Sequence, residues 1–300
     1  MKSILVTGAS TGIGYATTQE LINNGYRVFA NVRKEKDAKR LLSEFGINCF
    51  PLIFDVRDQA AIDKAVKEVE RRLGGKGLYG LFNNAGTALS GPIMHQPIED
   101  IEEMLNINVM GVIRVTRSFL PLLGADPYYT SEPGRILNMS SVGGKVSMPF
   151  IGMYCATKHA IEGLSDALRR ELMLFGIKVS IIEPGAVATP IWNKAPSPED
   201  SGYENTAYEE SVIAFLKAFA EEGKKGMNPS KVASLVREIF ESKKPKNRYM
   251  ISPTPFTDKV LLQYLPGKML DGMLAKEFKL NPKQGNSSEE ESIESKITEN

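Results

Sequence analysis

The sequence predicts an α/β domain: a doubly wound, mainly parallel sheet with helices on both faces and a C-terminal cover. Three observations carry that prediction. A short apolar run, residues 3–6, leads directly into a glycine-rich turn, TGASTGIG at 7–14, and then into a helical stretch ending at Gly25. Strand, glycine turn, helix is how a nucleotide-binding half-sheet begins. Further short apolar runs then alternate with helical stretches, which is the pattern of a parallel sheet. Polar residues cluster where apolar runs end, as Asn83-Asn84-Ala85-Gly86 and as Ser140-Ser141. Ligands bind beyond the carboxyl ends of strands in such sheets.

Each element has a local reason. In the first turn, glycines allow tight turning and close backbone approach, and the helix that follows offers free N–H groups to a pyrophosphate. The spacing Gly8, Gly12, Gly14 differs from G-x-G-x-x-G. The second strand, RVFANV, spans 27–32 and ends at Val32, followed by Arg33 and Lys34. That strand end is where such folds read the adenosine ribose; the bland alternative is that Arg33 and Lys34 begin a solvated helix. The third strand, CFPLIF, leads to Asp55 and Val56. Asp55 is suited either to an adenine amino group or to capping the helix expected over 58–73. The fourth strand, LYGLFNN, runs into Ala85-Gly86, a stretch suited to passing close to a ligand or to locking neighbouring strands. One long helix is expected over 98–123. Within it Asn106 and Asn108 need a partner or a task, since amides are disfavoured in an apolar helix. The fifth strand, RILNMSS, ends on Ser140 and Ser141, and the sixth, KVSIIEPG, on Pro184-Gly185.

Between those two strands lie Tyr154 and Lys158, four residues apart at the head of a helical run. On a helix they share a face. A free tyrosine titrates near pKa ~10. A fixed cation beside it favours the phenolate, so the hydroxyl can serve as a general acid or base near neutral pH. Taken alone, Tyr-x-x-x-Lys is a common surface pair.

Composition bounds the rest. With 300 residues, 42% hydrophobic and 24% charged, the chain reads as an ordinary globular protein with a sizeable core. A formal net charge of +1 gives no whole-chain attraction to nucleic acid. Two cysteines, Cys49 and Cys155, and two histidines, His95 and His159, form neither a disulfide framework nor a metal spacing, so no metal is expected. The first residues are expected to be strand rather than a secretory leader, and no stretch of about 20 apolar residues is present to span a bilayer. A cytoplasmic location is expected.

Taken together, Thr7-Gly8-Ala9-Ser10-Thr11-Gly12-Ile13-Gly14, Asp55, Asn83-Asn84-Ala85-Gly86, Asn108, Ser141, Tyr154-x-x-x-Lys158 and Pro184-Gly185 resemble, in order and spacing, the short-chain dehydrogenase/reductase family. The match covers residues 3–190. The stretch from Tyr154 to Gly185 looks like the branch of retinol, 17β-hydroxysteroid and 3-hydroxybutyrate dehydrogenases, and 248–278 resembles that branch more loosely. The resemblance implies a Rossmann-type fold and reversible transfer of a hydride between a nicotinamide cofactor and a hydrophobic secondary alcohol, ketone or aldehyde. It implies that Tyr154 exchanges the proton and that Lys158 holds the nicotinamide ribose and lowers the tyrosine's pKa. It implies that Ser141 bonds the substrate oxygen and that Asn108 holds a water. For the cofactor, Gly8, Ser10, Thr11, Gly12, Ile13 and Gly14 would face the phosphates, Asp55 and Val56 the adenine, and Asn83 the adenosine ribose. Ala85, Gly86, Pro184, Gly185, Val187 and Thr189 would line the remainder. Cys155 is expected to be a packed side chain, and His159 to have no proton-transfer role. Homodimers or homotetramers are expected.

The cofactor preference follows from charge. An NAD-specific site needs a carboxylate at the end of the second strand. Here Val32 stands there and Arg33 follows, able to grip a 2′-phosphate. Thr11 occupies the other common basic position, so only one phosphate contact is legible. NADP(H) is expected to be preferred, with NAD(H) open and reduction the working direction. A non-catalytic NADP-binding sensor or scaffold is the alternative.

Residues 1–280 are read as a single domain. Polar, proline-bearing 187–230 is expected to form the substrate lid, with Trp192, Tyr203 and Phe215 either lining a pocket or packing. A helix over 228–242 is expected to start with Asn228 as cap and Pro229 in its first turn. The apolar face of 260–278, from Val260 to Phe278, is open between shielding a hydrophobic pocket, peripheral membrane contact and ordinary core or dimer packing. The polar tail 281–300 is expected to be disordered.

Overall fold

The computed structural model describes residues 1–256, 258 and 264–282. Seven strands form one sheet: β1 (Ser3–Val6), β2 (Arg27–Val32), β3 (Cys49–Ile53), β4 (Gly80–Asn83), β5 (Arg135–Met139), β6 (Lys178–Pro184) and β7 (Arg248–Ile251). Their order is β3-β2-β1-β4-β5-β6-β7, and every pairing is parallel. The order reverses between β1 and β4, which places the ligand crevice there.

The helices are α1 (Gly12–Asn23), α2 (Glu35–Phe45), α3 (Gln59–Leu73), α4 (Ile98–Leu105), α5 (Gly111–Leu123), α6 (Gly152–Glu171), α7 (Glu209–Lys225), α8 (Pro229–Glu241) and α9 (Gly267–Glu277). Strand alternation sends Ile4 and Val6 to one face and Leu5 to the other. On the first face they meet Leu21 of α1, Leu41 of α2 and Val236 of α8. On the second, Leu5 meets Ile62 of α3 and Phe119 of α5. Both faces are apolar and covered, as a parallel sheet requires. Pro51 sits inside β3, where an edge strand can lack one N–H donor.

Three details differ from the sequence reading. β7 pairs with β6, Ile181 opposite Arg248, although residues 248–251 are not read as a strand from sequence. The helix expected over 98–123 is α4 and α5 joined by a π-helical turn, Asn106–Met110. A wider turn of this kind is frequent at functional sites, and periodicity does not reveal it. The cap of α3 is Asp58, whose Oδ1 accepts from Ala61 N at 3.0 Å, and not Asp55. The cap of α8 is Asn228, with Pro229 in the first turn.

A third apolar cluster joins α7 to the loop before α6: Phe150, Val212, Phe215, Leu216 and Phe278, with Leu274 of α9 against it. Met269 and Met273 of α9 stay exposed, at 58% and 49%. Val260, Leu261 and Leu262 of the apolar face lie outside the described residues, as does the tail from 283 onward. Among the described residues no helix is long and apolar enough to cross a membrane.

Candidate active site

The glycine turn is tied down from two sides. Gly8 and Gly12 adopt φ of +65° and +58°, a region costly for side-chain residues. Gly8 N donates to Asn31 Oδ1 at 3.2 Å, and Ala9 N to the Asn31 carbonyl at 2.8 Å. From β4, Asn84 Nδ2 donates to the Thr7 carbonyl at 2.9 Å, and Thr7 Oγ1 accepts from Asn84 N and Ala85 N. Arg40 Nη2 of α2 holds the Ser10 carbonyl at 2.6 Å. The turn thus delivers Ser10, Thr11, Gly12 and Ile13 to the N-terminus of α1. Thr11 makes no side-chain cap bond there, so the first N–H groups of α1 remain able to bind a phosphate. A nucleotide diphosphate fits this donor set. Gly14 is different: a Cβ there would meet the Gly8 carbonyl oxygen at 2.2 Å, so it serves close packing.

At the end of β2, Val32 is buried and Arg33 exposed. No carboxylate of β2 stands at this position. Asp55, after β3, is held by Arg57 through bonds of 3.0 and 2.8 Å, which keeps its carboxyl below the ordinary range. Its charge is therefore largely spent within the protein. Val56 is buried beside the start of α5, close enough that a Cβ on Gly111 would meet it at 2.8 Å.

Asn83 corrects one expectation. Its side chain is turned inward, donating to Thr116 Oγ1 at 2.8 Å and Asn138 Oδ1 at 2.9 Å. Only its main chain is left for a ribose. Asn108, in the π turn, accepts from Thr87 N and donates to the Thr87 carbonyl, both at 2.8 Å, and donates to Thr157 Oγ1 at 3.0 Å. Its amide locks the irregular segment following Gly86 to α6.

Ser141, Tyr154 and Lys158 converge at the carboxyl end of β5. Lys158 is buried, and its Nζ donates to the Met139 carbonyl at 2.9 Å and lies 5.6 Å from the centre of the Tyr154 ring. A Cβ on Gly86 would stand 3.9 Å from the same Nζ. Burial pulls Lys158 down to about 8, opposed by Glu162. Burial also pushes Tyr154 up to about 12, although its bond with Ser141 works the other way. This departs from the expectation of a lysine-depressed phenol. In the free protein desolvation outweighs the Ser141 bond, which favours the phenol form of Tyr154, the form that can act as an acid. Ser141 Oγ also accepts from Gly143 N at 3.1 Å. Phe150, two residues before α6, has φ of +65°, a strained value for a bulky residue, and its carbonyl accepts from Gly91 N at 2.6 Å.

Behind the site lies a buried ionic cluster. Glu162, one turn beyond Lys158, accepts from Lys145 Nζ at 2.8 Å and Arg248 Nε at 2.9 Å. Glu183 of β6 lies 3.4 Å from Lys145 and 3.5 Å from Arg248. Burial would raise Glu162, but the bonds from Lys145, Ser140 and Arg248 hold it low; burial and the neighbouring Glu162 raise Glu183.

On the cover side, Val187 is buried and bridges to Met227, and Thr189 stands over Gly12, whose Cβ would meet it at 3.1 Å. A Cβ on Gly185 would meet Ser252 Oγ at 2.7 Å, so any side chain there would displace Ser252. Trp192 packs on Phe219, ring centres 4.5 Å apart, and Phe215 is buried among Phe150, Phe219 and Phe278. These two pack rather than line a pocket; Tyr203 OH donates to the Ser90 carbonyl at 3.4 Å. Lys194 Nζ donates to Thr87 Oγ1 at 2.6 Å. Cys155 is buried with its thiol pushed up, and His159 is exposed, its Nδ1 2.9 Å from the Cys155 carbonyl oxygen. Among the described residues no group of three His, Cys, Asp or Glu side chains could hold a metal.

Sequence reading missed Asn31, Arg40, Glu162, Glu183 and Lys194. Two carried a signal: Glu183 is a charge inside an apolar strand, and Glu162 is four residues from Lys158 on the same helical face.

The comparisons agree with this geometry. The family model described as short chain dehydrogenase matches residues 2–200. An NADPH-dependent 3-dehydrocapnine reductase from Ornithobacterium rhinotracheale is 40% identical over 93% of this chain and 98% of its own. Retinol dehydrogenase 16 from Mus musculus is 34% identical over 91% of this chain and 87% of its own. The crystal structure of a short-chain dehydrogenase from Streptomyces avermitilis superposes with a TM-score of 0.72 at 28% identity, over 92% of this chain and 96% of that one. The chain belongs to the short-chain dehydrogenase/reductase family of oxidoreductases.

Proposed function

We propose that the protein is an NADPH-dependent reductase that converts a hydrophobic ketone or aldehyde to its alcohol. The observation that carries this reading is Tyr154 beside Ser141 and Lys158, the Lys158 Nζ 5.6 Å from the centre of the phenol ring, at the same sheet end as an Arg33 with no carboxylate on β2 to oppose a 2′-phosphate. The O. rhinotracheale relative, an NADPH-dependent reductase similar over nearly both whole chains, supports both the cofactor and the direction.

When bound, the cofactor supplies the hydride. The N-terminus of α1 and Arg33 would hold its phosphates, and Lys158 its nicotinamide ribose. Ser141 would orient the carbonyl oxygen, and Tyr154 would donate its proton to that oxygen. The apolar cluster of α7, Phe150 and Phe278 would exclude water from one side. Residues 187–230 would act as the lid of a single domain.

The test is an NADPH-consumption screen over long-chain, steroid-like and retinoid-like carbonyl compounds. Turnover of a hydrophobic member supports the reading. Tight NADPH binding with no turnover across the panel would instead favour a nucleotide-sensing role.

A further inference from the structure

We infer that Lys194, carried by the cover, is a second cation for the phosphates of the dinucleotide, completing a clamp that Arg33 begins. This rests on the cofactor reading above.

The observation is where the cover turn is anchored. Residues 190–194 form a short 3₁₀ turn that leaves the end of β6. At one end Thr189 sits on Gly12, at the N-terminus of α1. In the middle Trp192 is pinned by its Nε1 bond to the Val187 carbonyl at 2.7 Å and by its ring against Phe219 and Gly223. At the other end Lys194 reaches Thr87, at the exit of β4. The turn therefore bridges the β1 and β4 loops, the two lips of the crevice where the strand order reverses.

The lysine's surroundings call for an anion. Lys194 is exposed as a residue, yet its ammonium end is turned inward and bonded to the buried neutral hydroxyl of Thr87 at 2.6 Å. Among the described residues no carboxylate lies within ion-pair distance of it. Burial lowers its pKa and the field of Arg33 lowers it further, with Glu103 acting the other way. Asp55 cannot serve as counter-ion, since Arg57 already holds it. A phosphate of the dinucleotide supplies the missing charge, and it replaces the basic contact that Thr11 does not provide. Binding of the cofactor then fastens the cover through Lys194, and Trp192 carries that fastening to α7.

The test is fluorescence titration of NADPH and of NADH, without substrate, into wild type, Lys194→Met and Lys194→Arg. Lys194→Met should weaken NADPH binding at least ~10-fold, the lower end for one charge-assisted contact. Lys194→Arg should bind within a few-fold of wild type. Equal losses for NADPH and NADH place the contact on the pyrophosphate; a loss confined to NADPH places it on the 2′-phosphate. Unchanged dissociation constants for both cofactors in Lys194→Met overturn the inference, including when only the KM of the carbonyl substrate rises. The cofactor reading fails separately: wild type itself would then bind neither dinucleotide.

Discussion

Lys158 stands one helical turn beyond Tyr154, its Nζ 5.6 Å from the centre of the phenol ring and bonded to the Met139 carbonyl at 2.9 Å. Both groups are displaced by burial, in opposite senses: the phenol up to about 12, the ammonium down to about 8. Without ligand the pair rests as neutral phenol and marginally held cation.

That displacement gives a pH dependence. Lys158 is charged below about 8 and loses its proton as pH rises through that value. A ribose contact from the charged form is stronger than from the neutral amine by ~1 kcal/mol, or about 5-fold in affinity. The NADPH dissociation constant should therefore rise about 5-fold between pH 7 and 9.5. In Lys158→Met it should be weaker throughout and flatter across that window. A wild-type affinity that does not change over the window would exclude the ribose role.

Arg33 governs the choice of cofactor. Wild type should prefer NADPH over NADH by at least ~10-fold, from one charged contact of roughly 1.5–3 kcal/mol. Arg33→Ala should remove most of that preference and leave kcat/KM with NADH nearly unchanged. Wild-type turnover with NADH equal to that with NADPH would reject the cofactor assignment while leaving the enzyme class intact.

The ionic cluster behind α6 should respond asymmetrically. Glu162 has its carboxyl held low, so its stabilising contribution is present above the ordinary carboxylate range and lost as pH falls. Glu183 is raised, so its contribution is present at low pH and lost as pH climbs through its folded value. Glu162→Gln removes charge-assisted bonds from Lys145 and Arg248 and should lower Tm at pH 8 by at least about 2 °C. Glu183→Gln mimics the protonated form and should leave Tm unchanged or raise it. Thermal unfolding at pH 8 decides this; equal losses in both variants would show that the two carboxylates are held alike.

Much of this site is legible in the sequence because its signals are local. Tyr154 and Lys158 are one helical turn apart, the glycines of 8–14 follow an apolar strand, and Arg33 is placed by the end of β2. What was not legible depends on contacts between distant segments. Asn31 holds Gly8 across 23 residues, and Lys194 reaches Thr87 across 107. Asn83 looks like a ribose ligand from its motif, but its amide is drawn inward by Thr116 and Asn138, which only the packed sheet brings near. β7 is only half-buried and lacks the wholly apolar run that marks β1, and it forms because β6 offers it an edge. The direction of the phenol's shift is hidden from sequence for a related reason. Spacing shows the cation nearby, but the extent of burial belongs to the folded protein.

The central claim is that Tyr154 gives the proton to the carbonyl oxygen. Its most direct test is the pre-steady-state and steady-state rate of NADPH oxidation by Tyr154→Phe with a carbonyl substrate found in the screen, alongside NADPH titration. The ring is kept, so the fold and the NADPH dissociation constant should match wild type. The rate should fall at least ~10²-fold, the scale of losing a general acid. A rate within a few-fold of wild type, with the cofactor still bound, would contradict the assignment.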